Sequence, residues 1–316
     1  MLTLAVVLVV VPLALVLYIT MAETLLQLLP ESKRPHLRPW LWVGPALLAL
    51  TVYLIYPVLN TIYLSFQDSK GENFVGVENY LYIFTDRDTL IAYRNNLLWL
   101  VLFTGATVSL GLLIAVLTDR VRYEAWAKSL IFLPMAISFV AAGAIWKFML
   151  DFNPKLGLVN AFLKGVLEVN PIAWLQTGPA NNFVLIAVGI WMWTGFCTVI
   201  LSAGLKGIPK EVLEAARVDG ANEIQIFWQI IIPMMSSTIA VVATTMVINV
   251  LKVFDIVYVM TSGLHNTDVI ANRMFQMFYV ERQDGRSAAL AVVLLLAIIP
   301  FMILNIRRFR QQEAMR

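Results

Sequence analysis

The chain has 316 residues, of which 60% are hydrophobic and only 14% charged, and its mean hydropathy is +0.78. A soluble domain carries about 25% charged residues, so the composition excludes a water-soluble globular enzyme, a disordered chain and a secreted disulfide scaffold. The net charge of +3 is too small for a nucleic-acid binder, and the one cysteine, Cys197, has no partner for a disulfide.

A bilayer core of about 30 Å takes about 20 apolar residues per helix. Seven stretches meet that requirement, at 2–28, 40–66, 95–118, 129–150, 183–205, 234–262 and 287–306. The reading is all-α, a polytopic integral membrane bundle of seven transmembrane helices. The first stretch lacks the basic start of a signal peptide, since no Lys or Arg precedes Lys33, and it exceeds the usual run of about 7 to 15 apolar residues. It is therefore expected to be retained.

Orientation follows from Lys and Arg in alternate connections. Segments 29–39, 119–128, 206–229 and 307–316 carry them at more than twice the density of 67–94, 152–182 and 263–286. The first set is then cytoplasmic, with the C-terminus, Arg307, Arg308 and Arg310 inside and Met1 outside. In the outer connections, the apolar piece 158–167 is expected to form a short helix lying on the bundle.

The longest cytoplasmic connection, 206–233, is the most informative. Pro209 suits a first helical turn and Glu211 is the acid the helix dipole prefers there. Gly220 can adopt the left-handed conformation that ends a helix, and Asn222 with Glu223 starts another. Two short helices joined by a glycine turn result. They serve either as a docking hairpin, with Ala215 and Ala216 allowing close approach and Glu214 offering a charge, or as a connection packed beneath its own bundle.

Glu214-Ala215-Ala216, three residues, Gly220, nine residues, Ile230, one residue, Ile232 and Pro233 resemble the EAA signature of ABC importer permeases. Ile232 stands where that family usually has Leu. In the family this loop docks on a cytoplasmic ATPase, which implies coupling roles for Glu214, Ala215, Ala216, Asp219, Gly220, Ile230 and Pro233. The resemblance spans roughly 40–316, including a six-helix core and Phe74-Val75-Gly76-Val77-Glu78-Asn79-Tyr80. It follows the maltose-type, carbohydrate-importing branch. The stretches 251–261 and 267–274 are similar to permeases for alpha-glucosides. Residues 1–39 form an extra N-terminal helix and basic linker outside the shared core of 40–316.

No phosphate loop G-x-x-x-x-G-K-[ST] occurs, His36 and His265 sit in no H-E-x-x-H pattern, and no serine lies in a nucleophile elbow. The chain is read as a non-enzyme without a metal site or cofactor of its own. ATP and Mg are expected on a partner ATPase.

Charges within spans are costly, by about 2.5–3.5 kcal/mol on insertion scales. Glu23, Lys147 and Asp151 lie near span ends, where they can reach water. Lys252 and Asp255 fall near the middle of 234–262. At 100° per residue Asn249, Lys252 and Asp255 share one face, either as a polar stripe along a passage or as an i,i+3 ion pair between Lys252 and Asp255 that holds the helix to its neighbours. Trp191, Trp193, Phe254 and Tyr258 offer aromatic faces for a sugar, but Trp191 and Trp193 point about 200° apart on a helix.

The resemblance implies a substrate pathway past Asn249, Lys252, Phe254, Asp255, Trp191, Thr194 and Tyr258. It implies a permease subunit in the bacterial or archaeal inner membrane that passes a sugar, a disaccharide, oligosaccharide or alpha-glucoside, to the cytoplasm. Its expected partners are a second permease chain, an ATPase dimer, a periplasmic or lipid-anchored solute-binding protein and membrane lipid, with no nucleic acid. Two other classes compete: an ion-coupled secondary carrier using Lys252 and Asp255, and a signalling or assembly protein that moves no substrate.

Overall fold

The computed structural model describes residues 2–28, 30–119 and 121–314. Met1, Arg120 and Arg316, which entered the orientation reading, lie outside the described residues, as do the side chains of Arg308 and Arg310. In chain order the helices are α1 (Leu2–Gln27), α2 (Arg34–Leu64), α3 (Glu78–Thr85), α4 (Arg87–Thr118), α5 (Glu124–Phe132), α6 (Phe139–Met149), α7 (Leu158–Gly165), α8 (Ala180–Leu205), α9 (Lys210–Val218), α10 (Glu223–Leu251), α11 (Asp255–Met260), α12 (Ile270–Tyr279) and α13 (Asp284–Ala314). Among the described residues there is no strand, only an isolated bridge between Gln67 and Phe74.

The all-α expectation holds. Five helices, α2, α4, α8, α10 and α13 through Arg307, are long and apolar enough to cross a membrane, and α5 with α6 makes a sixth if that bent pair is one span. The described residues therefore support five or six such helices rather than the seven expected, although Leu2–Gln27 is helical as α1.

Two stretches read as unbroken are interrupted. Within 129–150 the chain turns by 94° between α5 and α6. Pro134 enters a 3-10 turn, Leu133–Ala136, and the Ser138 hydroxyl caps α6 by accepting from Ala141 N. Within 234–262 the helix ends at Leu251, and Lys252–Phe254 run irregularly before α11. No proline or glycine marks that break. The apolar run continues through it, so hydropathy does not register it.

α2 and α10 each contain a wide π-turn, Thr51–Ile55 and Phe227–Ile231, followed two residues later by Pro57 and Pro233. A proline has no N–H for the ladder and its ring crowds the carbonyl four residues back. Opening one turn to π spacing relieves that conflict without ending the helix.

The chain divides into two compact units, up to Tyr63 and from Leu64. In the first unit Glu23, expected to reach water, is engaged by Arg38 at 2.9 Å and by Trp42 Nε1 at 3.2 Å. In the second unit α8 is the most enclosed helix, with Leu185, Met192, Cys197 and Leu201 buried. It packs along α4 at small residues, as membrane helices do where dispersion must replace a hydrophobic driving force. A Cβ added to Gly111 would lie 2.6 Å from Cys197 Cβ, and one added to Gly189 would lie 2.8 Å from the Trp99 ring.

Candidate functional site

Where α10 stops, a cavity of about 270 Å³ opens in the second unit. Its walls come from α4 (Trp99, Phe103), the start of α6 (Phe139), α8 (Gly189, Trp193) and the end of α10 with the break and α11 (Asn249, Lys252, Phe254, Asp255). Four predicted site residues therefore meet at one cavity, brought there by the interruption and not by a stripe on an unbroken helix. Lys252 has φ −100° and ψ 13°, and Phe254 φ −142° and ψ −61°. No ion pair joins Lys252 to Asp255 among the described residues, which removes the bracing alternative.

The aromatic candidates are placed differently from one another. Trp193, not Trp191, borders the cavity, where it stacks on Phe139 at 5.9 Å; Trp191 instead meets Trp146 edge-on at 5.6 Å. Thr194 is buried and donates to Ile190 O, and Tyr258 stacks on Phe254 from outside the lining. Trp99, Phe103, Phe139 and Gly189 were not read from the sequence, because apolar residues within spans carry no mark of what they face. Trp99 is 1% exposed and its Nε1–H has no protein partner. Aromatic walls with an amide, an ammonium and a carboxylate at the open helix end can hold a small, neutral, hydroxylated molecule by stacking and hydrogen bonds.

The hairpin at 206–233 forms from its own local chemistry. Pro209 is the N-cap of α9, one position earlier than expected. α9 ends in a Schellman motif: Ala221 N donates to Ala216 O at 3.0 Å, Gly220 N donates to Arg217 O at 3.1 Å, and Gly220 takes φ +86°. Asn222 and Gln225 make a reciprocal capping box that starts α10. Arg217 Nε donates to Glu223 Oε1 at 2.9 Å across the turn. The second arm is not short: it continues as α10 without interruption from Glu223 to Leu251.

Glu214, Ala215, Asp219, Gly220 and Pro233 are exposed, while Ala216 and Ile230 rest against the core. Val218 is 87% and Ile224 71% exposed, two apolar side chains at the tip of a charged hairpin. Beside α9 lies an open cavity of about 560 Å³, lined by charged groups including Asp119, Glu124, Lys206, Glu214 and Arg217. Glu124 pairs with both Lys128 and Lys206, tying α5 to the end of α8.

At the opposite ends of these helices, the loop 261–268 is held by two asparagine pairs. Asn95 Nδ2 donates to Asn266 O and Asp268 O at 2.8 and 2.7 Å, Asn96 Oδ1 accepts from Ile270 N at 2.7 Å, and Asn181 and Asn182 donate to His265 O and Asn266 O. These bonds hold the segment in which His265 and Asn266 take positive φ. Asp268 is buried, and its burial pushes the carboxyl up to about 6 despite hydrogen bonds from Asn272 and Val269 N.

Residues 107–307 match the family model of the binding-protein-dependent transport system inner membrane component, and the chain belongs to that family. It is 59% identical over 280 residues to the osmoprotective compounds uptake permease protein GgtC of Synechocystis sp., covering 87% of this chain and 100% of that one. It is 49% identical over 282 residues to the alpha-glucoside transport system permease protein AglF of Rhizobium meliloti, covering 88% and 84%. The fold is also that of a chain in the crystal structure of a bacterial ABC transporter involved in import of the polysaccharide alginate, with TM-score 0.73, 22% identity and coverage of 85% and 96%. The protein is thus a multi-pass inner membrane permease component.

Proposed function

We propose that this chain is one of two permease subunits of an ATP-driven importer that passes a small α-glucoside from a soluble binding protein to the cytoplasm. The observation that carries the reading is the continuity of α10. One helix of 29 residues, about 43 Å long at 1.5 Å per residue, joins the exposed hairpin at Glu223 to the cavity at Leu251. A push on the hairpin must therefore move a wall of the cavity.

The hairpin side is assigned to the cytoplasm by its basic connections. Val218 and Ile224, left bare beside Glu214 and Ala215, supply the apolar contact through which a partner ATPase would grip it. ATP hydrolysis belongs to that partner, together with its Mg. Differential contact with open and closed ATPases then biases two states of the bundle, which is coupling in the thermodynamic sense. The names of these two relatives support an α-glucoside or a related osmoprotective compound as cargo. The aromatic and polar walls around Trp193, Phe254, Asn249 and Lys252 fit that chemistry. An ion-coupled carrier is not favoured, since the family is binding-protein-dependent and Lys252 and Asp255 do not pair.

The test is uptake of labelled maltose and trehalose into proteoliposomes holding the complete assembly. Uptake is expected to require ATP and the soluble receptor and to persist in the presence of ionophores. Gradient-driven uptake by this chain without the ATPase would overturn the reading.

A further inference from the structure

We infer that the chain carries a second carbohydrate subsite, at the far end of α11 from the central cavity, which holds one sugar ring at the outer mouth. This rests on the importer reading above and extends it. A separate cavity of about 230 Å³ opens between the end of α6, the connection before α8 and the loop after α11, with Lys147, Asp151, Gln176, Ser262 and His265 on its rim. Leu150, Leu175 and Met260 line its apolar part. α11 spans only Asp255–Met260, about 9 Å at 1.5 Å per residue. Asp255 and Ile256 border the central cavity and Met260 this one, so the two spaces lie at opposite ends of one short helix.

The chemistry of the rim selects the ligand class. The Lys147 ammonium is balanced by the Asp151 carboxylate, so an anion or a cation would meet one like charge, whereas a neutral polyol meets donors and acceptors alike. Lys147 Nζ gives one hydrogen bond, to Val259 O at 3.1 Å, and has two N–H left. Asp151 Oδ1 accepts from Asn153 N at 2.8 Å, leaving the second carboxylate oxygen. The Gln176 amide and the His265 ring supply further groups. An apolar floor beneath a polar rim matches a pyranose, which has a C–H face and equatorial hydroxyls. The volume lies below the roughly 300 Å³ at which drug-sized pockets begin, so it suits one ring.

The site is also pre-organised. His265 stands on the loop clamped by Asn95, Asn181 and Asn182, so little ordering is lost on binding.

The experiment is saturation-transfer NMR on the complete permease and ATPase assembly in nanodiscs, without the soluble receptor, with methyl α-D-glucoside as the probe. Wild-type protein is expected to give a binding signal that survives in part in Lys252→Ala. In Gln176→Ala/His265→Ala that surviving part is expected to weaken about tenfold, as the loss of two hydrogen bonds implies. Intact co-purification of the double variant with its partner permease shows that it has folded. No wild-type signal, an unchanged signal in the double variant, or complete loss in Lys252→Ala would each overturn the subsite. ATP-driven uptake by the wild-type assembly separates the two claims: if uptake occurs and this test fails, only the subsite falls, whereas absence of uptake removes the importer reading itself.

Discussion

Single residues set two properties that can be measured directly. Asp268 sits 7% exposed at the foot of the clamped loop, with Arg273 favouring and Asp88 opposing its charge. Its carboxyl is raised to about 6, so the folded chain holds the proton more tightly than the unfolded one. The stabilisation is complete below the normal carboxylate range and is lost as pH climbs through about 6, by up to roughly 3 kcal/mol for a shift of this size. Asp268→Asn keeps an acceptor for Asn272 and Val269 N and loses the charge. Thermal melts should show the variant gaining on wild type at pH 8 and matching it near pH 4; an equal gain at both would contradict the assignment. Gly189 sets the depth of the central cavity. In Gly189→Ala the new Cβ would lie 2.8 Å from the buried Trp99 ring, and overpacking of this kind costs about 1–3 kcal/mol. A lowered melting temperature and a fall in uptake of disaccharide are expected, and unchanged uptake would show that Trp99 does not shape the path.

At the scale of elements, the hairpin and the loop clamp were unequally legible. The α9 hairpin could be read almost whole, because glycine at a left-handed position, an asparagine cap and a proline start are local signals that tertiary context seldom overrides. Its main misreading, a short second arm, arose because the capping residues say where α10 starts and nothing about where it stops. The asparagine clamp was missed, although Asn95-Asn96 and Asn181-Asn182 are doublets at the mouths of two spans. A pair of buried amides in that position signals carbonyls that need donors, and the pattern becomes interpretable once the loop 261–268 is placed against it. Gly220→Val tests the hairpin. A built Cβ meets nothing within 4 Å, so the cost is conformational, about 1–2 kcal/mol for a left-handed residue with a side chain. The assembly should form, the soluble receptor should bind sugar as before, and receptor-stimulated ATP hydrolysis should fall about tenfold, as a coupling loss of that size implies. Undiminished stimulation would mean that the turn geometry does not transmit force.

For the whole molecule, hydropathy located every long helix and could not see where two of them break. The break at 252–254 contains Lys252 between Leu251 and Val253, and so reads as a charge inside a helix; only its conformation shows that the charge belongs to a cavity mouth. The same break explains how Asn249, Lys252 and Asp255, which periodicity places on one helical face, come to border a single cavity together with Phe254. Trp193 was set aside for Trp191 because helical periodicity tells which residues oppose each other and not which of them faces the path. What joins the parts is α10, with the hairpin at one end and the cavity at the other. If that helix acts as a lever, the hairpin tip must be in contact with the ATPase in the working assembly. A photo-crosslinking amino acid at position 218, where Val218 is 87% exposed, tests this most directly in the complete complex. The account predicts a crosslink to the ATPase subunit whose yield changes when nucleotide is bound. Crosslinks only to lipid, or to this chain itself, would contradict it.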